Sequence, residues 1–238
     1  MENKRNSSIL PKEYIDSMKQ LKKIFIKLHT LTKRNYVERM LDDKIKCMKI
    51  ASKFEKDYWD GDRRFGYGGY KYIENRWRGV AKQLIKTYKL NNKSKILDVG
   101  CGKGHLLYEI KKILNGIDII GIDISKHGLK NSHPEIKKYL HRYDARKKLK
   151  FRNKQFDLVI SFGTLHNFEN YDLQTSLNEI SRVGKKSYIW VESYRNEQEL
   201  FNLQCWALAL NACYSKKEWL WIFKKNKFKG DYEFIYFQ

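Results

Sequence analysis

The sequence is poor in proline and cysteine, and both shortages exclude structural classes. Its 238 residues contain two prolines and four cysteines: Cys47, Cys101, Cys205 and Cys213. The cysteines form no CxxC pair, and no histidine lies at zinc-finger spacing from them. This pattern excludes a disulfide-dense secreted scaffold and predicts free thiols in a reducing compartment. No clustered carboxylates indicate a metal site, so we expect none.

Long apolar runs are also missing. No uninterrupted stretch approaches the length of a membrane span, and the first ten residues, MENKRNSSIL, lack the apolar core of a signal peptide. We therefore expect a cytoplasmic protein without a membrane span. The 42% hydrophobic content still predicts one buried core.

Acidic residues are scarce relative to basic ones. The chain has 49 Lys and Arg against 27 Asp and Glu, which gives a formal charge of +22. Such an excess is compatible with a nucleic-acid partner. However, 37 of the basic residues are lysines spread along the whole chain, whereas bidentate phosphate recognition favours arginine. Nucleic acid is therefore a less favoured partner than a small molecule.

Two regions are predicted from the distribution of apolar residues and glycine. Residues 1–60 are expected to form an N-terminal helical extension, because apolar residues recur at helical spacing within a lysine-rich stretch. Examples of that spacing are Ile15, Met18, Leu21, Ile24, Phe25 and Leu28. Residues 61–238 are expected to form the main domain, which opens with a Gly/Tyr-rich segment at residues 61–78 that we expect to act as a lid over the ligand site.

The main domain alternates between strand and helix patterns. The predicted strands are Lys95–Val99, Asp118–Asp123, Tyr139–Tyr143, Phe156–Ser161, Ser187–Glu192 and Tyr232–Phe237. The predicted helices between and after them are Gly102–Leu114, Leu173–Arg182 and Lys216–Lys225. This alternation predicts an α/β fold with a doubly wound, mostly parallel Rossmann-like sheet.

The first strand of this sheet runs into a glycine-rich loop, DVGCGKG, at Asp98–Gly104. Ligands of open parallel sheets bind beyond the C-terminal ends of the strands. Glycine there permits a tight turn and a close backbone approach to a ligand. The spacing is GxGxG, and position 105 is histidine, so the loop differs from the GxGxxG of dinucleotide binders.

Acidic residues follow the next two predicted strands. Asp123 ends the second, where a carboxylate can accept both hydroxyl groups of a ribose. Asp144 follows the third and is placed to meet an adenine amino group. Together with the glycine loop, these residues predict a nucleoside site.

The ordered motifs ILDVGCGKG, IIGID, YDA and FDLVIS resemble those of class I S-adenosylmethionine-dependent methyltransferases, over roughly Lys95–Glu192. The resemblance implies S-adenosyl-L-methionine as cofactor and S-adenosyl-L-homocysteine as product. It implies contacts to the methionine portion from Asp98 and the loop glycines, to the ribose from Asp123 and to the adenine from Asp144. The cofactor residues implied are Asp98, Gly100, Cys101, Gly102, Gly104, Asp123, Ile124, Asp144, Ala145 and Ser161. One departure is visible: the C-terminal region has room for one strand where the family commonly has a closing antiparallel pair.

Two residues are candidates for a general base in methyl transfer. His166 follows the fourth strand in SFGTLHNF and has a suitable ordinary pKa. Glu192 ends the fifth strand and either acts as a base or pairs with Arg195. The fourth strand is not followed by [DNS]-P-P-[YFW], and no Pro-Cys nucleophile appears, so methylators of adenine, glutamine or cytosine carbon are disfavoured.

The GYGGYKY stretch, residues 66–72, contributes Tyr67, Tyr70 and Tyr72, which we expect to bind substrate together with His166. The surrounding segment DYWDGDRRFGYGGYKY resembles bacterial methyltransferases associated with surface-glycan gene sets. The expected acceptor is a hydroxyl or amine of a small polar metabolite, such as a sugar or sugar nucleotide. Two alternatives remain: an RNA methyltransferase that uses the basic helical extension, and a partner-binding module that keeps the cofactor without turnover.

Overall fold

The computed structural model describes residues 21–30 and 33–238, which form an α/β fold around one six-stranded sheet. The strands are β1 (Lys95–Val99), β2 (Asp118–Asp123), β3 (Leu140–Arg142), β4 (Phe156–Phe162), β5 (Gly184–Glu192) and β6 (Asp231–Ile235). Their order is β3-β2-β1-β4-β5-β6, and all neighbouring strands are parallel. The order reverses between β1 and β4, which is where ligands bind in such sheets. The predicted fold is confirmed.

Helices cover both faces of the sheet, and an apolar cluster lies under each face. In the described residues the helices are α1 (Ile26–His29), α2 (Tyr36–Leu41), α3 (Lys44–Ala51), α4 (Lys56–Asp60), α5 (Arg78–Tyr88), α6 (His105–Ile113), α7 (Lys126–Lys130), α8 (Asn170–Val183), α9 (Glu197–Trp206) and α10 (Lys216–Lys225). None of these is long and apolar enough to cross a membrane. The helix predicted from Gly102 begins only at His105, because Gly102 and Gly104 both have positive φ.

The sheet ends with a single strand, as the C-terminal sequence suggests. β6 pairs in parallel with β5, and its outer edge is met by the N-terminal part of the chain. The backbone N–H of Lys22 donates to the carbonyl of Tyr232 at 2.8 Å. The helix predicted through residues 21–25 is therefore wrong for that stretch, which is not helical and runs beside β6. Ile15 and Met18 lie outside the described residues.

One buried carboxylate fastens this N-terminal stretch to the sheet. The side chain of Glu233, 2% exposed in β6, accepts hydrogen bonds from the backbone N–H groups of Ile24, Phe25 and Ile26 at 2.7–2.9 Å. The hydroxyl of Tyr188 donates to the same carboxylate. Hydrogen bonds to a charged acceptor are stronger than neutral ones, so Glu233 fixes where Phe25 lies.

Candidate active site

A cavity of about 590 Å³ opens at the C-terminal edge of the sheet. Its walls come from the loops after β1, β2, β3 and β4 and from the end of β5. The remaining walls come from the N-terminal region and from residues 206–209, at the end of α9 and just after it. Its size falls within the range of small-molecule sites.

The glycine loop has the backbone that its sequence predicts. Gly100, Gly102 and Gly104 have φ of +82°, +55° and +70°, which side-chain-bearing residues rarely adopt. A Cβ on Gly102 would come within 2.7 Å of the ring of Trp59, and one on Gly100 would collide with Thr164. Any larger residue would therefore distort the loop and its neighbours.

Asp98 lies at the base of this loop with a carboxylate that is only partly satisfied. It is 4% exposed, and its Oδ1 is buried without a hydrogen-bond partner among the described residues. Burial, together with the negative charge of Asp123, raises the pKa of Asp98 to about 8. A buried oxygen of this kind suits a positively charged ligand group, such as the ammonium of the cofactor's methionine portion.

Asp123 connects the loops after β1 and β2. Its Oδ2 accepts the backbone N–H of Gly102 and its Oδ1 that of Ser125, each at 2.8 Å. Burial raises the pKa of this carboxyl. Each carboxylate oxygen keeps a second lone pair, so the predicted ribose contact is compatible with this bracing.

The residues predicted to bind the adenine line the cavity, but one of them is already hydrogen-bonded within the protein. Ile124, which is exposed, and Ala145 line the cavity. Asp144 also lines it, but Nε and Nη2 of Arg146 both donate to its carboxylate at 2.9 Å. These hydrogen bonds lower the pKa of Asp144. An adenine amino group would therefore share this carboxylate with Arg146.

Of two further residues predicted to bind the cofactor, Cys101 and Ser161, only Cys101 lines the cavity. Cys101 lines the cavity, and burial raises the pKa of its thiol well above the usual value. Ser161 is fully buried within the sheet, where its hydroxyl donates to the carbonyl of Val99 at 2.8 Å. Ser161 does not line the cavity, and its predicted cofactor contact is not supported because the hydroxyl is used to link β4 to β1.

His166 and Glu192, predicted separately, lie together in the cavity wall. The backbone N–H of Glu192 donates to His166 Nδ1 at 3.2 Å, and His166 Nε2 lies 3.6 Å from Glu192 Oε2. Burial lowers the pKa of His166 to about 3 and raises that of Glu192 to about 7, which the charge of Arg34 partly offsets. The alternative partner of Glu192, Arg195, pairs with Glu199 instead.

An aromatic stack faces this pair. Phe25 lies between Trp77 and Trp190, with ring centroids 5.5 Å and 4.8 Å away and both pairs stacked. The Nε1 of Trp190 is buried without a hydrogen-bond partner among the described residues. All three rings line the cavity.

The Gly/Tyr-rich segment 61–78 supplies another wall. Tyr67 stacks on Trp59 at 5.3 Å and Tyr70 stacks on His105 at 4.8 Å, and both tyrosines line the cavity. Tyr72 lies elsewhere: its hydroxyl donates to Glu109 and its ring packs on Tyr108. The structure thus brings two of the three predicted tyrosines to the cavity.

Several residues of the cavity carry no signal in the sequence. Phe25, Arg34 and Arg39 reach it only through contacts between distant parts of the chain. Trp190 has one local clue, since it lies two residues before Glu192 in β5 and strand residues at that spacing share a face.

Comparison with known proteins identifies the family of this chain. A family model described as a methyltransferase domain matches residues 90–227. The chain belongs to this family. The expected class I S-adenosylmethionine-dependent methyltransferase is confirmed at the level of the family, and S-adenosyl-L-methionine is its methyl donor.

The methyltransferase domain also has curated relatives. The uncharacterized protein MJ1252 of Methanocaldococcus jannaschii is 30% identical over 142 residues, which cover 59% of this chain and 51% of that protein. The mitochondrial arginine-hydroxylase NDUFAF5 of Mus musculus is 33% identical over 109 residues, 46% of this chain and 31% of that protein. The chain thus spans about half and about a third of these relatives.

Solved structures similar to the methyltransferase domain include YcgJ from Bacillus subtilis, with 19% identity, a TM-score of 0.48 and coverage of 61% of this chain and 66% of that chain. PH0226 from Pyrococcus horikoshii has 26% identity, a TM-score of 0.41 and coverage of 55% and 58%.

Proposed function

We propose that this protein transfers the methyl group of S-adenosylmethionine to a hydroxyl or amine of a small polar metabolite, with Glu192 as general base. The pairing of Glu192 with His166 in the cavity wall is the observation that carries this proposal. The cofactor, when bound, supplies an electrophilic methyl group on a sulfonium. The chain must hold the acceptor in line with that group and remove its proton.

The hydrogen bonds favour Glu192 over His166 as the residue that takes the proton. Because Nδ1 of His166 accepts the N–H of Glu192, the imidazole proton belongs on Nε2, which faces the Glu192 carboxylate. Burial also disfavours a second proton on His166, whose pKa is lowered to about 3. Glu192, with a pKa raised to about 7, is suited to accept a proton near neutral pH. His166 is thus a positioning residue for Glu192.

The cofactor side of the proposal rests on the loops after β1, β2 and β3. The Asp98 carboxylate would meet the methionine ammonium, and the loop of Gly100, Gly102 and Gly104 would lie against the methionine portion. Asp123 would accept from the ribose hydroxyls, and Ile124 would cover the adenine. Ala145, Cys101 and Asp144 would complete the wall.

The aromatic walls support a polyol acceptor. Sugars pack on aromatic faces while a few polar groups fix their orientation. Trp77 and Trp190, on either side of Phe25, line the cavity, and Tyr67 and Tyr70 line it from the N-terminal side. We therefore propose a sugar or sugar nucleotide, as used in surface-glycan synthesis, as the acceptor.

A metabolite extract incubated with the protein and methyl-labelled cofactor tests the proposal by mass spectrometry. We expect labelled small molecules, and we expect Glu192→Gln to lower their rate of formation by about 10² to 10⁴ because it removes the base. Affinity for S-adenosylhomocysteine, measured by calorimetry, should be unchanged in that variant. With wild-type protein, the rate should rise with pH through about 7 as Glu192 ionises.

Two outcomes would replace the proposal. Tight S-adenosylhomocysteine binding without any labelled product would identify a cofactor-binding module. Label transferred only to added RNA, with steep salt dependence, would identify an RNA methyltransferase.

A further inference from the structure

Three arginines surround one tryptophan in the cavity wall. The guanidinium carbons of Arg34, Arg39 and Arg63 lie 5.3, 5.2 and 5.1 Å from the ring centroid of Trp206. Arg39 belongs to α2, Arg63 to the turn before the glycines of segment 61–78, and Trp206 to the end of α9. All four residues line the cavity, so separate parts of the chain bring this charge to one place. We name these four residues the arginine cluster.

The guanidiniums of Arg39 and Arg63 lie against the same ring, and the charge of Arg63 acts on Arg39. Among the described residues, no carboxylate lies within 4 Å of Arg39 or Arg63. Arg39 donates to the backbone carbonyl of Arg63 at 2.8 Å, and Arg63 donates to that of Gly66. Burial, and also the charge of Arg63, hold the pKa of the Arg39 guanidinium below its usual value. Two guanidiniums held against one ring repel each other, and an anion bound between them would relieve this repulsion.

The arginine cluster belongs to the acceptor end of the cavity. The positive charge of Arg34 acts on Glu192 and lowers its pKa against the effect of burial. Asp98, at the cofactor end, is influenced by Asp123 and by burial instead. Guanidinium groups bind carboxylate and phosphate oxygens through paired N–H donors. We propose that the arginine cluster is an oxyanion subsite, which binds a carboxylate or phosphate group of the methyl acceptor. This rests on the proposed function, because it assigns the acceptor a charge.

Inorganic phosphate, titrated calorimetrically into the full chain saturated with S-adenosylhomocysteine, tests the subsite without turnover. We expect phosphate to bind, and Arg39→Gln and Arg63→Gln each to weaken its affinity about tenfold. Arg152→Gln, which changes an exposed arginine outside the cavity, is the matched control and should leave phosphate affinity unchanged. Arg39→Lys keeps the charge but loses the fork of donors, and we expect an intermediate affinity.

Each other result overturns the subsite. If Arg39→Gln only lowers the unfolding temperature while phosphate binds as in wild type, the arginine cluster is a brace for the N-terminal region. Arg63→Gln, at an exposed position, supplies the same comparison should the Arg39 variant fail to fold. If phosphate competes with S-adenosylhomocysteine, the anion bound there is the cofactor's own carboxylate.

The labelled products of the extract experiment provide a separate readout. We expect them to be retained on an anion-exchange column, and neutral or cationic products would contradict the subsite while leaving methyl transfer intact. Phosphate binding together with no labelled product would instead remove the proposed function and keep an anion site.

Discussion

Asp98 carries a buried carboxylate that is expected to exchange a proton with solvent when ligand binds. With a pKa of about 8, it is mostly protonated in the free protein at pH 7. A cation bound against its unpartnered Oδ1 would favour the ionised form and lower this pKa. Binding of the cofactor's ammonium would therefore release a proton in this pH range.

We expect calorimetry in buffers of different ionisation enthalpy to show proton release of up to about one proton when S-adenosylhomocysteine binds at pH 7. Asp98→Asn cannot ionise, so this release should disappear and affinity should fall. Asp118→Asn, on the exposed start of β2, is the control. Equal proton release in wild type and Asp98→Asn would show that the ammonium does not meet Asp98.

At the scale of elements, α4 holds the Gly/Tyr-rich segment over the cofactor loop. Asp60, its last residue, accepts from Lys103 Nζ at 2.6 and 2.7 Å and lies 2.7 Å from His127 Nε2. The side chain of Lys103 is only 5% exposed, so it depends on this carboxylate for its counter-charge. The backbone N–H groups of Gly69 and Tyr70 in turn donate to the carbonyl of Trp59 in α4. The ion pair between Asp60 and Lys103 thus connects the Gly/Tyr-rich segment, through α4, to the glycine loop.

Asp60→Asn should loosen the attachment of the Gly/Tyr-rich segment to the glycine loop. Because it leaves Lys103 without its counter-charge, we expect a loss of unfolding free energy on the order of 2 kcal/mol. Hydrogen exchange should increase at residues 55–70, and the KM for cofactor should rise. Asp57→Asn, at an exposed position on the same helix, should change none of these quantities. Unchanged exchange in Asp60→Asn would show that the segment is held by its aromatic contacts alone.

At the scale of the whole molecule, the N-terminal region and the last strand build one wall together. Glu233 in β6 positions Phe25, and Phe25 stacks on Trp190 of β5. Tyr36 donates to the backbone carbonyl of Gln238 at 2.9 Å. The predicted boundary between a helical extension and the main domain at residue 60 stays a prediction. Because of these contacts, we propose that the region before residue 60 does not act as an independent unit.

Glu233→Gln tests this dependence with a side chain of the same shape. The amide has one acceptor oxygen and no charge, so it cannot replace the hydrogen bonds to Ile24, Phe25 and Ile26. We expect a loss of about 2–4 kcal/mol in unfolding free energy, measured by urea denaturation, and faster hydrogen exchange at residues 22–30. Glu74→Gln, a largely exposed control, should stay within about 0.5 kcal/mol of wild type. A similar result for both variants would mean that Glu233 does not anchor the N-terminal stretch.

The sheet and the glycine loop could be predicted because their signals are local. Apolar runs between turn residues mark the strands, and closely spaced glycines mark the loop after β1. The aromatic stack beside Glu192 could not be predicted, because Phe25 and Trp190 are far apart in the chain and Phe25 is positioned by Glu233 of β6. The helical spacing at Leu21, Ile24 and Phe25 was outweighed by pairing with a free sheet edge. The position of Ser161 could not be predicted either. Both faces of a parallel strand are covered, so the sequence of β4 does not indicate which of its side chains reach the ligand.

The pairing of Lys22 with Tyr232 also has a consequence for the order of events during synthesis. The stretch around Lys22 leaves the ribosome long before β6, whose edge receives it. Phe25 and the neighbouring arginines therefore reach their final positions only after β6 has emerged, whereas β1 to β5 can already associate as they emerge. Contacts of such long sequence separation also form slowly. The nascent chain is thus expected to form its cofactor loop well before the aromatic stack beside Glu192, which is completed only after β6 has left the ribosome.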